Sequence, residues 1–193
     1  IAITLHWAIA LLIFANFPLG VYMHDLPLSP DKLRLFSYHK WIGVTVFILA
    51  VLRISWRIAH RPPPLPETMP RWEKLAGHAT HHLLYALIFA VPLSGWLMSS
   101  AKGVQTVWFG VLPLPDLLAK DAALGDALLQ VHFSLNMLFA VLVIGHAGAA
   151  LAVHADGMDL VEVGQRAMAV REVAELLDRR DVAVHRVDRF ERH

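Results

Sequence analysis

The chain of 193 residues contains no cysteine. That excludes disulfides, thiolate metal ligands and any C-x-x-C-H attachment, so a prosthetic group held here is held without covalent bonds. Charge is also scarce. Asp, Glu, Lys and Arg make up 17% of the chain against 56% hydrophobic residues, less charge than the roughly 25% of an ordinary soluble domain. Acidic residues are missing altogether from four apolar stretches, at about 1–22, 38–58, 75–99 and 128–154. Each stretch meets the ~20 residues needed to cross the hydrocarbon core of a bilayer. The first shows no basic leading region and no small-residue cleavage site, so it is expected to be a membrane span and not a secretory signal peptide. The chain opens on Ile1 rather than Met, so a short leader is expected ahead of it. With a formal net charge of +1, membrane lipid is an expected partner and nucleic acid is not.

These features predict an all-α integral membrane protein. A four-transmembrane-helix bundle spans residues 1–154, and a charged, helical C-terminal tail follows at 155–193. The bundle segment carries ten Lys/Arg and seven Asp/Glu, the tail seven and nine. Around the connection between the second and third helices lie Arg53, Arg57, Arg61, Arg71 and Lys74, whereas the other two connections have three basic residues and two. Short loops rich in Lys and Arg stay in the cytoplasm, which puts this connection and both chain ends inside. The run Pro62-Pro63-Pro64-Leu65-Pro66 reads as a stiff surface strap. The long third connection, with Leu112-Pro113-Leu114-Pro115, is expected on the outer interface with Trp108 as its anchor. Trp41, Trp56, Trp72, Tyr22 and Tyr38 cluster at helix ends as an aromatic belt would. Val163, Ala167, Val170, Ala174 and Leu177 recur at helical spacing in the tail, which suits a solvated amphipathic helix.

What the apolar segments do contain is histidine. His132 and His146 lie fourteen residues apart on the fourth helix, a rise of ~21 Å and almost four whole turns. Both rings therefore project from one face at two depths. His6 and His39 sit near the starts of the first and second helices. Given the orientation above, only two pairs agree in depth, His6 with His146 at the inner side and His39 with His132 at the outer side. Each pair can supply the two axial imidazoles of a six-coordinate haem iron, an arrangement for electron transfer in which no position is left open. A lone membrane histidine is more often a helix–helix hydrogen-bond donor, but four at matching depths on three helices favour ligation. A histidine-lined metal transporter is the non-redox rival, and it would usually add carboxylates that these helices lack.

The same fourteen-residue step leads from His6 to Gly20, from His39 to Arg53 and from His81 to Gly95. Glycine on such a stripe lets a porphyrin approach the backbone, a need that Gly43, Gly145 and Gly148 also fit. Arg53 falls at the inner level, where a guanidinium can pair with a haem propionate. His78, His81 and His82 stand at the inner end of the third helix, and of these His81 is the candidate to meet a propionate or a quinone head group. His24, His60, His185 and His193 read as exposed, and His154 as a C-terminal cap.

The pattern resembles the bacterial di-haem cytochrome b561 family over residues 1 to about 154. The resemblance is carried by Leu5-His6-Trp7, Tyr38-His39-Lys40 with Gly43, and Leu52-Arg53-Ile54-Ser55-Trp56-Arg57 followed by the proline run. Further along it is carried by His81 through Tyr85, Pro92-Leu93-Ser94-Gly95-Trp96, Phe109-Gly110 with Leu114-Pro115, and His132 with His146-Ala147. It implies a four-helix protein of the bacterial cytoplasmic (inner) membrane with two b-type haems, ligated by His6, His39, His132 and His146. It also implies exchange of electrons with ubiquinone, with superoxide as an outer-face donor for at least one kind of member. Lys40 and Lys102 could draw such an anion to the outer haem. The tail after Asp156 does not resemble the family. Two functions are therefore expected to compete. One is a stand-alone oxidoreductase between quinone and an outer-face donor. The other is a haem-carrying anchor subunit serving a peripheral dehydrogenase.

Overall fold

A computed structural model of the chain describes residues 1–60 and 70–155, with side chains to residue 152. The proline strap and the charged tail lie outside the described residues. Ile1–His60 and Pro70–His146 make one compact unit, which holds every contact discussed below.

Four long helices dominate: α1 Ala2–His24, α2 Pro30–Ala59, α3 Arg71–Ala101 and α4 Ala122–Ala155. Each is long and apolar enough to cross a membrane, and a helix satisfies its own backbone groups where no water is available. At 23, 30, 31 and 34 residues they run from ~35 to ~51 Å, so the longer ones extend beyond the hydrocarbon or tilt within it. α1 packs along α2, and α2 along α3. Few side chains are buried; Ile9, Met23, Val46, Ala50, Leu87 and Phe139 are among them. Many large apolar residues face outward instead. Trp7, Leu11 and Phe14 line one side of α1, and Val141 and Ile144 do the same on α4. Lipid accepts such a surface where water would drive it to associate.

α2 begins eight residues before its apolar run. The Ser29 hydroxyl accepts the Lys32 amide at 3.2 Å, Pro30 fills the first helical position and Asp31 sits in the first turn. All three favour helix initiation. At α4, Asp121 accepts the Leu124 amide at 3.0 Å, while its own amide bonds Ala101 at 2.8 Å. The end of α3 is thereby tied to the start of α4.

The connection between α3 and α4 contains a small hairpin. Its strands, β1 Val107–Trp108 and β2 Leu112–Pro113, pair antiparallel with Trp108 opposite Leu112. Phe109 and Gly110 both have positive φ, 50° and 71°, and the Val111 amide bonds the Trp108 carbonyl at 3.1 Å. That is a type I′ turn, for which glycine is suited and phenylalanine is unusual. The hairpin docks on α2: the Trp41 indole donates to the Val107 carbonyl at 2.6 Å, Lys40 donates to the Val104 carbonyl at 3.0 Å, and Trp108 donates to the Thr45 hydroxyl at 3.3 Å. Trp108, expected as an interfacial anchor, is half-buried and turned to a helix.

Candidate functional site: two histidine pairs

Four histidines on the described helices stand in pairs at two levels. At one, His39 of α2 and His132 of α4 stand with ring centroids 6.3 Å apart and planes at 90°. At the other, His6 of α1 and His146 of α4 stand 6.3 Å apart with planes at 84°. α4 supplies one ring to each level, separated by the ~21 Å that fourteen helical residues span. All four side chains are half-buried.

These separations carry chemical information. Two imidazoles on opposite sides of one metal ion, each bonded through a ring nitrogen at about 2 Å, would have centroids roughly 6 Å apart. Each pair offers two donors, His81 stands beside His146 at the second level, and among the described residues no three His, Asp or Glu side chains gather as a metal cage. Two nitrogens suit an ion whose other positions are filled by a planar tetradentate ring. The residues present therefore fit haem better than a bare metal ion.

His132 is the most firmly held. Its Nδ1 lies 3.0 Å from the Val91 carbonyl and 2.9 Å from the Ser94 hydroxyl, and that hydroxyl itself donates to Val91 at 2.7 Å. A proton on Nδ1 satisfies both acceptors and leaves Nε2 bare for a metal. His39 is packed in a similar way, but its Nδ1 is buried with no hydrogen-bond partner, as is Oδ1 of Asn16 on α1.

The glycines divide. A Cβ on Gly20 would stand 2.9 Å from the His39 ring, and one on Gly95 would stand 3.0 Å from the His132 ring. The stripe drawn from His6 and His81 thus ends against imidazoles, where it was expected to admit a porphyrin. A Cβ on Gly43 or Gly145 would meet nothing within 4 Å, so no protein contact requires glycine at either place.

Arg53 and His81 belong to the His6–His146 level. The Arg53 guanidinium donates to the Ala2 carbonyl at 2.6 Å, one turn before His6, and its charge acts on His6 and His81. The His81 ring lies 5.3 Å from that of His146, a third imidazole beside the pair. Arg57 stands over the Tyr85 ring at 5.6 Å. His78 and His82 are exposed, His82 bonding back to the His78 carbonyl at 2.6 Å. His24 is exposed, and His60 is stacked on Trp56 at 3.9 Å. His154 lies in the last turn of α4; its side chain, like His185 and His193, is outside the described residues.

Sequence reasoning missed Ser94 and Asn16. Both had a signal: each is a polar side chain in an acid-free apolar run, and Ser94 directly precedes Gly95.

The chain is similar to known proteins over most of its length. The family described as prokaryotic cytochrome b561 matches residues 1–161. Cytochrome b561 homolog 2 of Escherichia coli (strain K12) is 35% identical over 156 residues, covering 80% of this chain and 82% of its own. A Yersinia pestis protein named probable superoxide oxidase CybB is 29% identical over 164 residues, covering 79% and 85%. Cytochrome b561 homolog 1 of Escherichia coli (strain K12) is 24% identical over 153 residues, covering 79% and 86%.

Proposed function

The chain belongs to the prokaryotic cytochrome b561 family, and from that premise we propose that it carries two b-type haems, one between His6 and His146 and one between His39 and His132. At the family level it is a multi-pass protein of the bacterial inner membrane and a cytochrome b561-type electron carrier. The observation that carries the finer reading is the repeated 6.3 Å separation of two imidazole pairs on one shared helix.

Bound haem supplies a reversible one-electron couple at its iron. The protein's part is to hold the imidazoles, exclude water and set the potentials. His132 is tied by Val91 and Ser94, which fixes its tautomer and raises its basicity as a ligand. Arg53 brings a positive charge to the His6–His146 level and is suited to hold a propionate there. His81, beside His146 and next to the Arg57–Tyr85 pair, is the residue proposed to meet a ubiquinone head group. The His39–His132 level would receive electrons from an outer-face donor; Lys40 follows His39 on α2 and donates to the Val104 carbonyl at 3.0 Å, and Lys102 pairs with Asp126 at 2.8 Å. The relative named a probable superoxide oxidase supports superoxide as that donor. The reading is thus an oxidoreductase joining an outer-face donor to quinone.

Single replacements His6→Ala, His39→Ala, His132→Ala and His146→Ala should each remove one haem and leave the other. A variant that retains both haems means its histidine is misassigned. For the reaction, purified protein given ubiquinone should consume superoxide unaided. Failure to do so, together with a stoichiometric dehydrogenase after gentle detergent extraction, would instead make it an anchor subunit.

A further inference from the structure

We propose that α1 and α3 carry twin notches that position the two histidines of the His39–His132 pair, a proposal that rests on the di-haem reading above. Each notch is a glycine with an acceptor carbonyl four residues before it. On α3 these are Gly95 and Val91; on α1 they are Gly20 and Asn16. Residues four apart lie one above the other on a helix face, so each carbonyl opens beside the gap where its glycine lacks a Cβ.

On α3 the contact is complete. The His132 ring fills the gap at Gly95, where a Cβ would stand 3.0 Å from Cε1 and 3.3 Å from Nδ1. Its Nδ1 reaches the Val91 carbonyl and the Ser94 hydroxyl. On α1 the His39 ring fills the gap at Gly20 in the same pose, with the corresponding distances 2.9 Å to Cε1 and 3.4 Å to Nδ1. The Asn16 carbonyl belongs to the turn just before that gap, and Nδ1 of His39 makes no hydrogen bond. The two orphaned buried polar side-chain atoms among the described residues are this Nδ1 and Oδ1 of Asn16. Buried polar groups are normally satisfied. Asn16 can offer His39 what Val91 and Ser94 together offer His132, a main-chain carbonyl and a side-chain oxygen. Each notch leaves Nε2 as the free nitrogen. Neither His6 nor His146 has a ring hydrogen bond among the described residues, so the device belongs to one pair.

Asn16 and Ser94 are therefore positioning residues. A ring N–H that donates to an acceptor makes the imidazole a stronger ligand, which favours the oxidised iron and lowers its potential. Asn16→Leu and Ser94→Ala should keep two haems and shift the midpoint of one, with the other unmoved. Gly20→Ala and Gly95→Ala should lose that same haem or shift it. Alanine is otherwise favoured over glycine inside a helix, so such a defect points to the displaced ring. Gly77→Ala on α3, where a Cβ meets nothing within 4 Å, serves as the control and should change neither haem.

The measurement is a spectroelectrochemical titration of the purified variants with haem counted per polypeptide. Two haems at wild-type midpoints in both Asn16→Leu and Ser94→Ala would overturn the proposal, as would equal movement of both haems. Should Asn16→Leu fail to accumulate, Ser94→Ala, which adds no atoms, decides alone. Fewer than two haems in the unmodified protein would instead overturn the di-haem reading.

Discussion

At the scale of single residues, an imidazole with one nitrogen tied and the other free is prepared for a metal, and His132 is in that condition. The tie comes from Val91 and Ser94, residues with no charge and no redox chemistry of their own. Arg53 acts differently, through charge. Its guanidinium anchors the start of α1 at the Ala2 carbonyl and lies beside the His6–His146 level. Removing a positive charge near iron disfavours the reduced state, so Arg53→Ala should lower the midpoint of that level's haem, and Arg53→Lys should lower it less. An unchanged midpoint in a redox titration would remove Arg53 from the site. The four histidines were legible in the sequence because imidazole in lipid is costly and conspicuous. Ser94 and Asn16 were not recognised, because a hydroxyl or amide in a membrane helix commonly bonds its own backbone. Only the facing helix shows that Ser94 meets the His132 ring.

At the scale of elements, the helices were legible and their ends less so. Hydropathy places each span, but α2 starts at a capping signal, Ser29-Pro30-Asp31, well outside the apolar run. Ser29→Ala should lower stability by roughly 0.5–2 kcal/mol, measurable as an earlier thermal transition in detergent. The hairpin was not legible. Two-residue strands and a turn led by phenylalanine leave no periodic trace, and the docking partners are some 65 residues away on α2. Trp41 bears most of that docking, through its bond to Val107 and its ring contact with Phe109 at 5.4 Å. Trp41→Phe keeps an aromatic ring and removes the donor. It should cost about 1 kcal/mol and make the 103–118 connection more open to limited proteolysis. A protection pattern equal to that of the unmodified protein would show that the indole N–H does not hold the hairpin.

At the scale of the whole molecule, the proposed di-haem reading turns four spans and two histidine levels into a path across a membrane. The levels are ~21 Å apart along α4, a large part of the ~30 Å hydrocarbon thickness. The distribution of Lys and Arg predicts the direction, with the α2–α3 connection expected inside. The absence of native cysteine makes this simple to test with single introduced thiols. Leu28→Cys, on the exposed α1–α2 connection, should react with an impermeant maleimide in intact spheroplasts, and His60→Cys should react only after lysis. The opposite pattern would invert the bundle and exchange the donor and quinone sides. The claim on which the rest depends is that each histidine pair holds a haem. The reduced-minus-oxidised visible spectrum of the purified protein, with haem counted per polypeptide as the pyridine haemochromogen, tests it most directly. Two low-spin b-type haems per chain are the predicted result. One haem would mean that a histidine pair is structural, and none would contradict the account.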